Sequence, residues 1–169
     1  MVSPPSDLLE FRALFEAQYA YACRALRRLG IRDGDVNDVA QELFLQLHDD
    51  FALFDRERPF RPWLYAYAVR LAANYRRLAR HKASEISEGE RDTKVPTSER
   101  RAIRDLVARA LERLPDDQRD VIVMHDFEGF TAPEIAEATK APLNTVYSRI
   151  RLGREGFRKS VTELRGDAQ

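Results

Sequence analysis

The sequence predicts an all-α fold with two small helical domains joined by a flexible acidic linker. Segments 35–51 and 100–114 carry apolar residues at three- and four-residue spacing, which is typical of helices that pack on one face. No segment shows the alternating pattern of a strand. Residues 84–99 contain no aromatic residue but include a glycine, a proline and five carboxylates, which is linker composition. We therefore expect helical domains at residues 7–83 and 100–162.

The overall composition is that of a globular protein, with 44% hydrophobic and 33% charged residues among 169. No apolar run approaches the roughly 18–20 residues of a membrane span. The N-terminus lacks the basic and apolar regions of a secretion signal. Cys23 is the only cysteine, which excludes an internal disulfide and a cysteine-based zinc site. We expect a protein of the reducing cytoplasm, with no membrane segment, no metal and no cofactor.

The charges are segregated along the chain, although 28 basic residues balance 28 acidic ones. Residues 33–57 hold eight carboxylates and one arginine. Residues 58–84 hold seven lysines or arginines and no carboxylate. Residues 140–159 hold six basic residues and a single glutamate. Blocks of alternating sign favour separate surfaces for separate partners, and solvated helix faces are the simpler alternative.

The basic block predicts a helix that begins near Pro62 and carries two adjacent stripes. The first is apolar and is expected to be buried: Leu64, Ala68, Leu71, Tyr75 and Leu78. The second combines rings with polar groups, with Arg76 and Arg80 beside it: Trp63, Tyr67, Arg70, Asn74 and Arg77. Rings stack on unpaired bases and arginines neutralise phosphate, so this stripe suits single-stranded nucleic acid. The alternative is that Trp63 and Tyr67 belong to the core and the arginines only keep the helix soluble.

The acidic block predicts a helix over 35–50 that presents carboxylates on one side. Its apolar residues are expected inside: Val36, Val39, Leu43 and Leu47. Asp38, Glu42 and Asp49 lie on the other side, with Gln41 alongside. Carboxylates four residues apart repel by a few tenths of a kcal/mol, which a basic partner would relieve. A solvated face is the alternative, and metal binding is not expected because no histidine joins these carboxylates at ligand spacing.

Residues 130–157 predict a helix-turn-helix. Thr131 and Glu134 form a capping box, and Pro142 ends the short first helix. Asn144 is expected to cap the second helix, which turns Val146, Ile150 and Phe157 inward. Its outward side chains are Tyr147, Ser148, Arg149, Arg151 and Arg154. Such a second helix enters the major groove, where arginines reach guanine or phosphate and Asn144 and Thr145 suit phosphate. An ordinary helical hairpin is the alternative.

Taken in order, these residues resemble bacterial sigma factors of the sigma-70 family, and specifically the extracytoplasmic-function (ECF) group. Asp38, Gln41 and Glu42 match the Asp-x-x-Gln-Glu motif of its region 2, and the segment 58–77 is similar to the part that melts the −10 promoter element. Residues 114–150 are similar to region 4. The matching positions are Leu114-Pro115, Gln118-Arg119, Glu128-Gly129, Glu134-Ile135-Ala136, Thr145-Val146 and Ser148-Arg149.

The resemblance implies a region 2 bundle and a region 4 helix-turn-helix domain that together direct promoter-specific initiation. Asp38, Gln41 and Glu42 would bind the β′ clamp helices of core RNA polymerase, and the first helix of region 4 would contact the β flap. The −10 contacts would be Phe60, Trp63, Tyr67, Arg70, Asn74, Arg76, Arg77 and Arg80. The −35 contacts would be Asn144, Thr145, Tyr147, Ser148, Arg149, Arg151 and Arg154. The family is typically held inactive by an anti-sigma factor, needs no cofactor and is monomeric when free.

Several positions depart from the family pattern. Arg70 stands where many relatives have the asparagine that reads the −10 element. Lys140 and Ala141 replace the usual glycine and isoleucine of the turn, and a lysine in the left-handed conformation would cost roughly 1–2 kcal/mol. Leu152 and Tyr147 stand where relatives often carry basic residues. We therefore expect promoter sequences that differ from those of relatives.

Three other classes of function compete with this interpretation. A helix-turn-helix repressor or activator would bind duplex DNA alone, usually as a dimer, without a region-2-like half. A sequestering protein would bind core polymerase and drive no transcript. An enzyme is disfavoured because His48, His81 and His125 are far apart in the sequence, with no phosphate-binding glycine loop and no nucleophile beside a base.

Overall fold

The computed structural model describes residues 6–85 and 99–166, so the predicted linker at 84–99 lies almost wholly outside the described residues. This described part is all-α and contains no strand, as the sequence predicts. None of its helices is long and apolar enough to cross a membrane. The helices are α1 (Ser6–Arg28), α2 (Val36–Asp49), α3 (Phe60–Glu85), α4 (Glu99–Glu112), α5 (Asp116–Ile122), α6 (Ala132–Thr139) and α7 (Leu143–Gly166).

The first domain is a bundle of α1, α2 and α3. Gly30 ends α1 with a φ of +92°, and the amide of Ile31 donates to the carbonyl of Leu26 at 3.0 Å, which closes the last turn. α2 has the predicted bounds within one residue at each end. Its buried face carries Val36, Ala40, Leu43, Phe44 and Leu47, and the predicted Val39 is half-buried.

α3 follows the predicted pattern over most of its length. It begins at Phe60, two residues before the predicted start. Leu64, Ala68 and Leu71 are buried as expected, but the prediction that Leu78 is buried was wrong, since it is 48% exposed. In this part of α3 the contacts with α5 are made by Arg76 and Arg80, which pair with carboxylates, and the spacing of apolar residues does not show this.

The second domain is built on α7, which packs against α4, α5 and α6. α5 continues into a π-helical turn over Val123–Phe127, in which the amide of Glu128 donates to the carbonyl of Val123 at 3.1 Å. Six consecutive residues, 119–124, are buried across the end of α5 and the start of this turn. Spacing rules based on a regular helix do not anticipate this turn.

The two domains share one continuous apolar core within the described residues. α6 packs against α3, and the rings of Tyr65 and Phe130 meet edge to face with centroids 5.1 Å apart. The structure therefore holds the first domain directly against the second. This contact was not part of the sequence-based expectation, which treated the two domains as separate units on a tether.

The crossing of α5 and α7 makes Gly153 a sensitive position. A Cβ at Gly153 would lie 2.5 Å from Cγ1 of Ile122 and 3.2 Å from the carbonyl oxygen of Gln118. We expect Gly153→Ala to lower the free energy of unfolding by about 1–3 kcal/mol, although alanine gains about 1 kcal/mol in helix propensity. Gly156→Ala is the control in the same helix, because its Cβ meets only the movable end of Leu114. Urea denaturation of both variants checks this, and equal stability would contradict the close crossing.

Candidate nucleic-acid interface

An aromatic cluster, formed by Phe54, Phe60, Trp63 and Tyr67, lies where the loop before α3 meets the helix. Trp63 is central, with its ring centroid 4.8 Å from Phe54, 5.6 Å from Phe60 and 5.2 Å from Tyr67. The hydroxyl of Tyr67 donates to Asp50 at 2.7 Å. Trp63 and Tyr67 are half-buried, so these rings pack with the domain while part of each side chain stays exposed.

A cavity of about 220 Å³ opens beside Trp63. The loop before α3 forms one wall, with Phe54, Asp55 and Arg58 among its residues. The opposite wall belongs to α6 of the second domain, through Glu134 and Glu137. A base entering this cavity would therefore meet carboxylates of the second domain as well as the rings of the first.

The predicted −10 cations do not share one environment. Arg70 is exposed and its guanidinium lies 4.3 Å from the centre of the Tyr67 ring. Arg77 is exposed and donates to Asn74 at 2.8 Å. These three positions remain open to solvent, as the helical spacing predicts.

Arg76 differs from its neighbours because its side chain is only 7% exposed. The expectation that it lies on the open face was therefore wrong. Its Nη2 donates to Oδ2 of Asp120 at 2.9 Å, its Nη1 donates to the carbonyl of Leu29, and its Nε lies 3.3 Å from Oδ1 of Asp116. The reason is that α5 packs over this part of α3. Its carboxylates occupy the position at which the sequence pattern predicted exposure to solvent. Arg80, one turn later, donates to Asp116 at 2.7 Å.

Arg119, from the second domain, completes a buried cluster of charged residues that also contains Arg76, Asp116 and Asp120. It donates to the carbonyls of Leu111, Glu112 and Leu114 at 2.8, 2.9 and 3.2 Å, and so fixes the junction of α4 and α5. Burial, followed by the positive charge of Arg76, lowers the pKa of Arg119. The sequence singled out Arg119 only as part of a family motif, and no spacing rule showed that it would be buried.

The carboxylates of the cluster respond to burial in different ways. Burial raises the pKa of Asp120 to about 6, against the opposing effect of Arg76. Its Oδ1 is buried and accepts no hydrogen bond from the described residues, which is consistent with that direction. Burial alone would also raise the pKa of Asp116, but Arg80, Arg76 and Arg119 outweigh it and hold that pKa below its usual value.

The helix-turn-helix forms with the predicted start and turn. The carboxylate of Glu134 accepts from the amide of Thr131 at 2.8 Å, and the Thr131 hydroxyl accepts from the amide of Glu134 at 3.4 Å, which is the expected capping box. Lys140 follows α6 with φ 53° and ψ 31°, in the left-handed region. The prediction that Asn144 caps the second helix was wrong. The carbonyl of Pro142 already accepts from the amide of Val146 at 3.1 Å, so α7 begins earlier, at Leu143.

α7 presents a polar and basic face, as the sequence predicts. Val146 and Ile150 are buried and Phe157 is half-buried. Thr145 and Arg149 are half-buried, and the other predicted −35 positions are exposed: Asn144, Tyr147, Ser148, Arg151 and Arg154.

Two arginines of this face are held by carboxylates of the same domain. Nε of Arg149 lies 2.9 Å from Oδ2 of Asp117. Arg154 donates twice to Asp126, at 2.8 and 2.5 Å, and this contact raises the pKa of Arg154. Both arginines are therefore already paired with carboxylates of their own domain.

The acidic face of α2 is exposed at every predicted position. Asp38, Gln41 and Glu42 all face solvent. Leu45, one turn after Gln41, is 65% exposed, and the sequence analysis did not single it out.

Comparisons with known proteins agree with this geometry. Residues 14–82 match the family described as Sigma-70 region 2, and residues 104–155 match Sigma-70, region 4. The RNA polymerase sigma-H factor of Pseudomonas aeruginosa is 30% identical over 149 residues, which cover 79% of this chain and 77% of that protein. The chain belongs to the sigma-70 family. The ECF RNA polymerase sigma-E factor of Escherichia coli is 29% identical over 165 residues, covering 89% of this chain and 86% of that protein, which indicates the ECF group.

Two solved structures have the same architecture. CnrH, in complex with the cytosolic domain of CnrY, has a TM-score of 0.64 at 26% identity and covers 90% of this chain and 88% of its own. The sigma factor RpoE of Bartonella quintana, in complex with the anti-sigma factor NepR, has a TM-score of 0.68, covering 90% and 97%. At 15% identity RpoE supports the fold alone. The predicted fold class and the predicted family are both confirmed, and the chain is a transcription initiation factor that directs RNA polymerase to promoters.

Lys140 gives a test of the turn in the helix-turn-helix. A lysine at φ 53° pays a steric cost that glycine does not. We expect Lys140→Gly to raise the free energy of unfolding by roughly 0.5–1 kcal/mol, net of the greater unfolded-state freedom of glycine. Lys140→Ala is the control, since it removes the side chain and keeps the Cβ. Thermal denaturation compares the three proteins, and equal gains from both substitutions would show that backbone strain is not the cause.

The raised pKa of Asp120 predicts that the stability of the protein depends on pH. Its pKa is raised from 3.8 to about 6, so the folded protein binds more protons than the unfolded chain between those values. The free energy of unfolding contributed by this group is therefore highest at low pH and falls as pH rises from about 4 to 6. Asp120→Asn removes the titration and leaves Arg76, Arg119 and Asp116 in place. We expect the stability difference between variant and parent to change by roughly 1–3 kcal/mol across that window.

Urea denaturation at pH 4, 5, 6 and 7 measures this difference. A constant difference between Asp120→Asn and the parent protein would mean that Asp120 does not titrate in that window.

Proposed function

We propose that the two domains divide promoter recognition as their surfaces suggest. The first domain, residues 7–83, binds the β′ clamp helices of core polymerase through Asp38, Gln41 and Glu42. Their common exposure on one side of α2 supports this assignment. α4 contacts the β flap, and residues 84–99 connect the domains.

The −10 element is bound by α3 and the loop before it. The aromatic cluster and the cavity beside Trp63 offer stacking surfaces to a base that leaves the duplex. Arg70, Asn74 and Arg77 lie on the same open side of α3 and suit phosphate or base edges.

The −35 element is bound in the major groove by α7. The observation that carries the proposal is the geometry of this helix: it follows a capped short helix and a left-handed turn, buries Val146 and Ile150, and exposes a polar and basic face. Tyr147 and Leu152 add apolar contacts that suit thymine methyl groups, so the preferred −35 sequence differs from that of relatives with basic residues there.

The partner that restrains the protein is an anti-sigma factor. Both similar solved structures are complexes, one with the cytosolic domain of CnrY and one with the anti-sigma factor NepR. A monomer that acts on cytoplasmic polymerase and DNA is consistent with this regulation.

Transcription by purified core polymerase on a fragment library of the source genome tests the proposal. We expect discrete start sites that depend on the added protein. The double substitution Asp38→Arg/Glu42→Arg should weaken core binding by about tenfold or more, because opposite charges at an interface become like charges. Glu16→Arg/Glu163→Arg, on exposed positions outside α2, is the matched control and should leave initiation unchanged.

Other outcomes separate the alternatives. Core binding without any transcript would identify a sequestering protein. Binding of duplex DNA alone, without affinity for core polymerase, would identify a conventional repressor or activator and overturn the proposal.

A further inference from the structure

We infer that Asp50 is a positioning residue for the reading of the −10 element. Through the hydroxyl of Tyr67 it fixes the ring on which the guanidinium of Arg70 lies, and Arg70 thereby selects a guanine in that element. This inference rests on the proposed role of α3 in binding the −10 element. It deepens that role, because it names the side chain that reads a base, the base that it prefers and the residue that holds it in place.

Asp50 lies where α2 ends and the loop towards α3 begins, and its backbone is held on both sides. Its amide donates to the carbonyl of Gln46 at 3.1 Å, and its carbonyl accepts from the amide of Leu53 at 2.8 Å. Its half-buried carboxylate accepts from the hydroxyl of Tyr67 at 2.7 Å. Hydrogen bonds to an ionised acceptor are among the stronger ones in proteins. A fixed point of the backbone therefore anchors the end of the Tyr67 side chain.

The ring of Tyr67 links this anchor to Arg70. Beside the bond to Asp50, the ring meets Trp63 edge to face, with centroids 5.2 Å apart. The guanidinium carbon of Arg70 lies 4.3 Å from the centre of the Tyr67 ring, which is a cation–π contact. Burial, and after it the bond to Asp50, raise the pKa of Tyr67, and the charge of Arg70 acts in the opposite direction. The guanidinium therefore lies close to the ring and to its hydroxyl.

Arg70 keeps its hydrogen-bond donors available for a ligand. Its side chain is exposed, and no carboxylate of the described residues forms an ion pair with it. Arg149 and Arg154 differ in this respect, since each is paired with an aspartate. A ring face offers no acceptor oxygen, so contact with Tyr67 restricts the guanidinium without using its donors. A side chain that is already restricted loses less conformational freedom when it binds.

The chemistry of Arg70 favours guanine over the other bases. Guanine presents two adjacent acceptors, O6 and N7, which match two N–H donors of a guanidinium. Adenine and cytosine each present an amino donor on the corresponding edge, and thymine presents a methyl group beside its single acceptor. The asparagine that many relatives carry at this position suits adenine by the same rule. The presence of Arg70 therefore predicts a different base preference, provided that the guanidinium is held in place.

A second tyrosine–aspartate bond between the same two helices provides the matched control. The hydroxyl of Tyr75 donates to Asp35 at 2.5 Å, at the other end of α2. Tyr75 lies about two helical turns beyond Tyr67. The side chain of Asp35 makes no capping bond to α2, so its removal affects mainly the contact with α3. A structural bond between α2 and α3 can thus be removed without touching the support of Arg70.

The test is transcription by core polymerase on promoters whose −10 element is randomised. We expect the parent protein to favour guanine at one position by roughly fivefold or more, and Arg70→Ala to lose this preference. Asp50→Ala should reduce the preference roughly three- to tenfold, because the anchor of Tyr67 is lost. Asp50→Asn should keep most of it, since its amide oxygen still accepts from the hydroxyl. Asp35→Ala should match the parent.

Three outcomes would overturn the inference. The first is the absence of a guanine preference that depends on Arg70. The second is an Asp50→Ala protein that keeps the preference of the parent. The third is an Asp35→Ala protein that loses the preference as fully as Asp50→Ala does, because the effect would then follow from any lost contact between α2 and α3.

Nuclear magnetic resonance of the free proteins tests the positioning directly. The ring of Tyr67 should shift the side-chain protons of Arg70 upfield in the parent and in Asp35→Ala, and this shift should diminish in Asp50→Ala. Thermal denaturation checks that all variants are folded at the temperature of the measurement. An upfield shift that is unchanged in Asp50→Ala would show that Asp50 does not hold the ring, and would overturn its positioning role.

The two sets of measurements separate this inference from the proposed function. If the parent protein drives no transcript from any promoter, the proposed function fails, while the resonance experiment still decides whether Asp50 positions Arg70. If the parent drives transcription but its base preference does not respond to Asp50→Ala, only the inference fails.

Discussion

The buried guanidinium of Arg76 is the constraint on which the rest of the structure depends. A guanidinium that is removed from water needs hydrogen-bond acceptors and opposite charges in the protein. Arg76 donates to the carbonyl of Leu29 and pairs with the carboxylates of Asp116 and Asp120. Those acceptors come from the end of α1 and from the start of α5. One side chain of α3 therefore fixes the position of α1 within its own domain and the position of the second domain against it.

The same cluster links the fold to the chemistry of nucleic-acid binding. An arginine is suited to phosphate because its N–H donors form a rigid, planar fork. Carboxylates fit the same fork. A surface built to hold phosphate is therefore also a surface to which carboxylates bind. Asp116 lies near both Arg76 and Arg119, so it joins the cation that would contact DNA to the cation that fixes the α4–α5 junction.

Much of this organisation could be predicted from the sequence, because local rules decide it. The capping box of Thr131 and Glu134 and the exposure of Asp38 and Glu42 depend on spacing within one helix. What could not be predicted depends on contacts between distant segments. Spacing places Arg76 beside an open stripe, and only the position of α5, some 40 residues later in the chain, buries it. Leu78 was wrongly predicted to be buried for a similar reason, because the spacing of apolar residues along one helix does not show how far the neighbouring helices extend beside it.

The division of the predicted −10 residues has a consequence for how the sigma factor can be controlled. Arg70, Asn74 and Arg77 are exposed, whereas Arg76 and Arg80 contact the second domain. A ligand that needs only the exposed residues could bind while the two domains are packed together, and a ligand that needs Arg76 could not. Because a shared apolar core and the carboxylates of α5 hold the two domains together, a protein that supplies further contacts to both domains would stabilise this arrangement without covering every predicted DNA-binding residue.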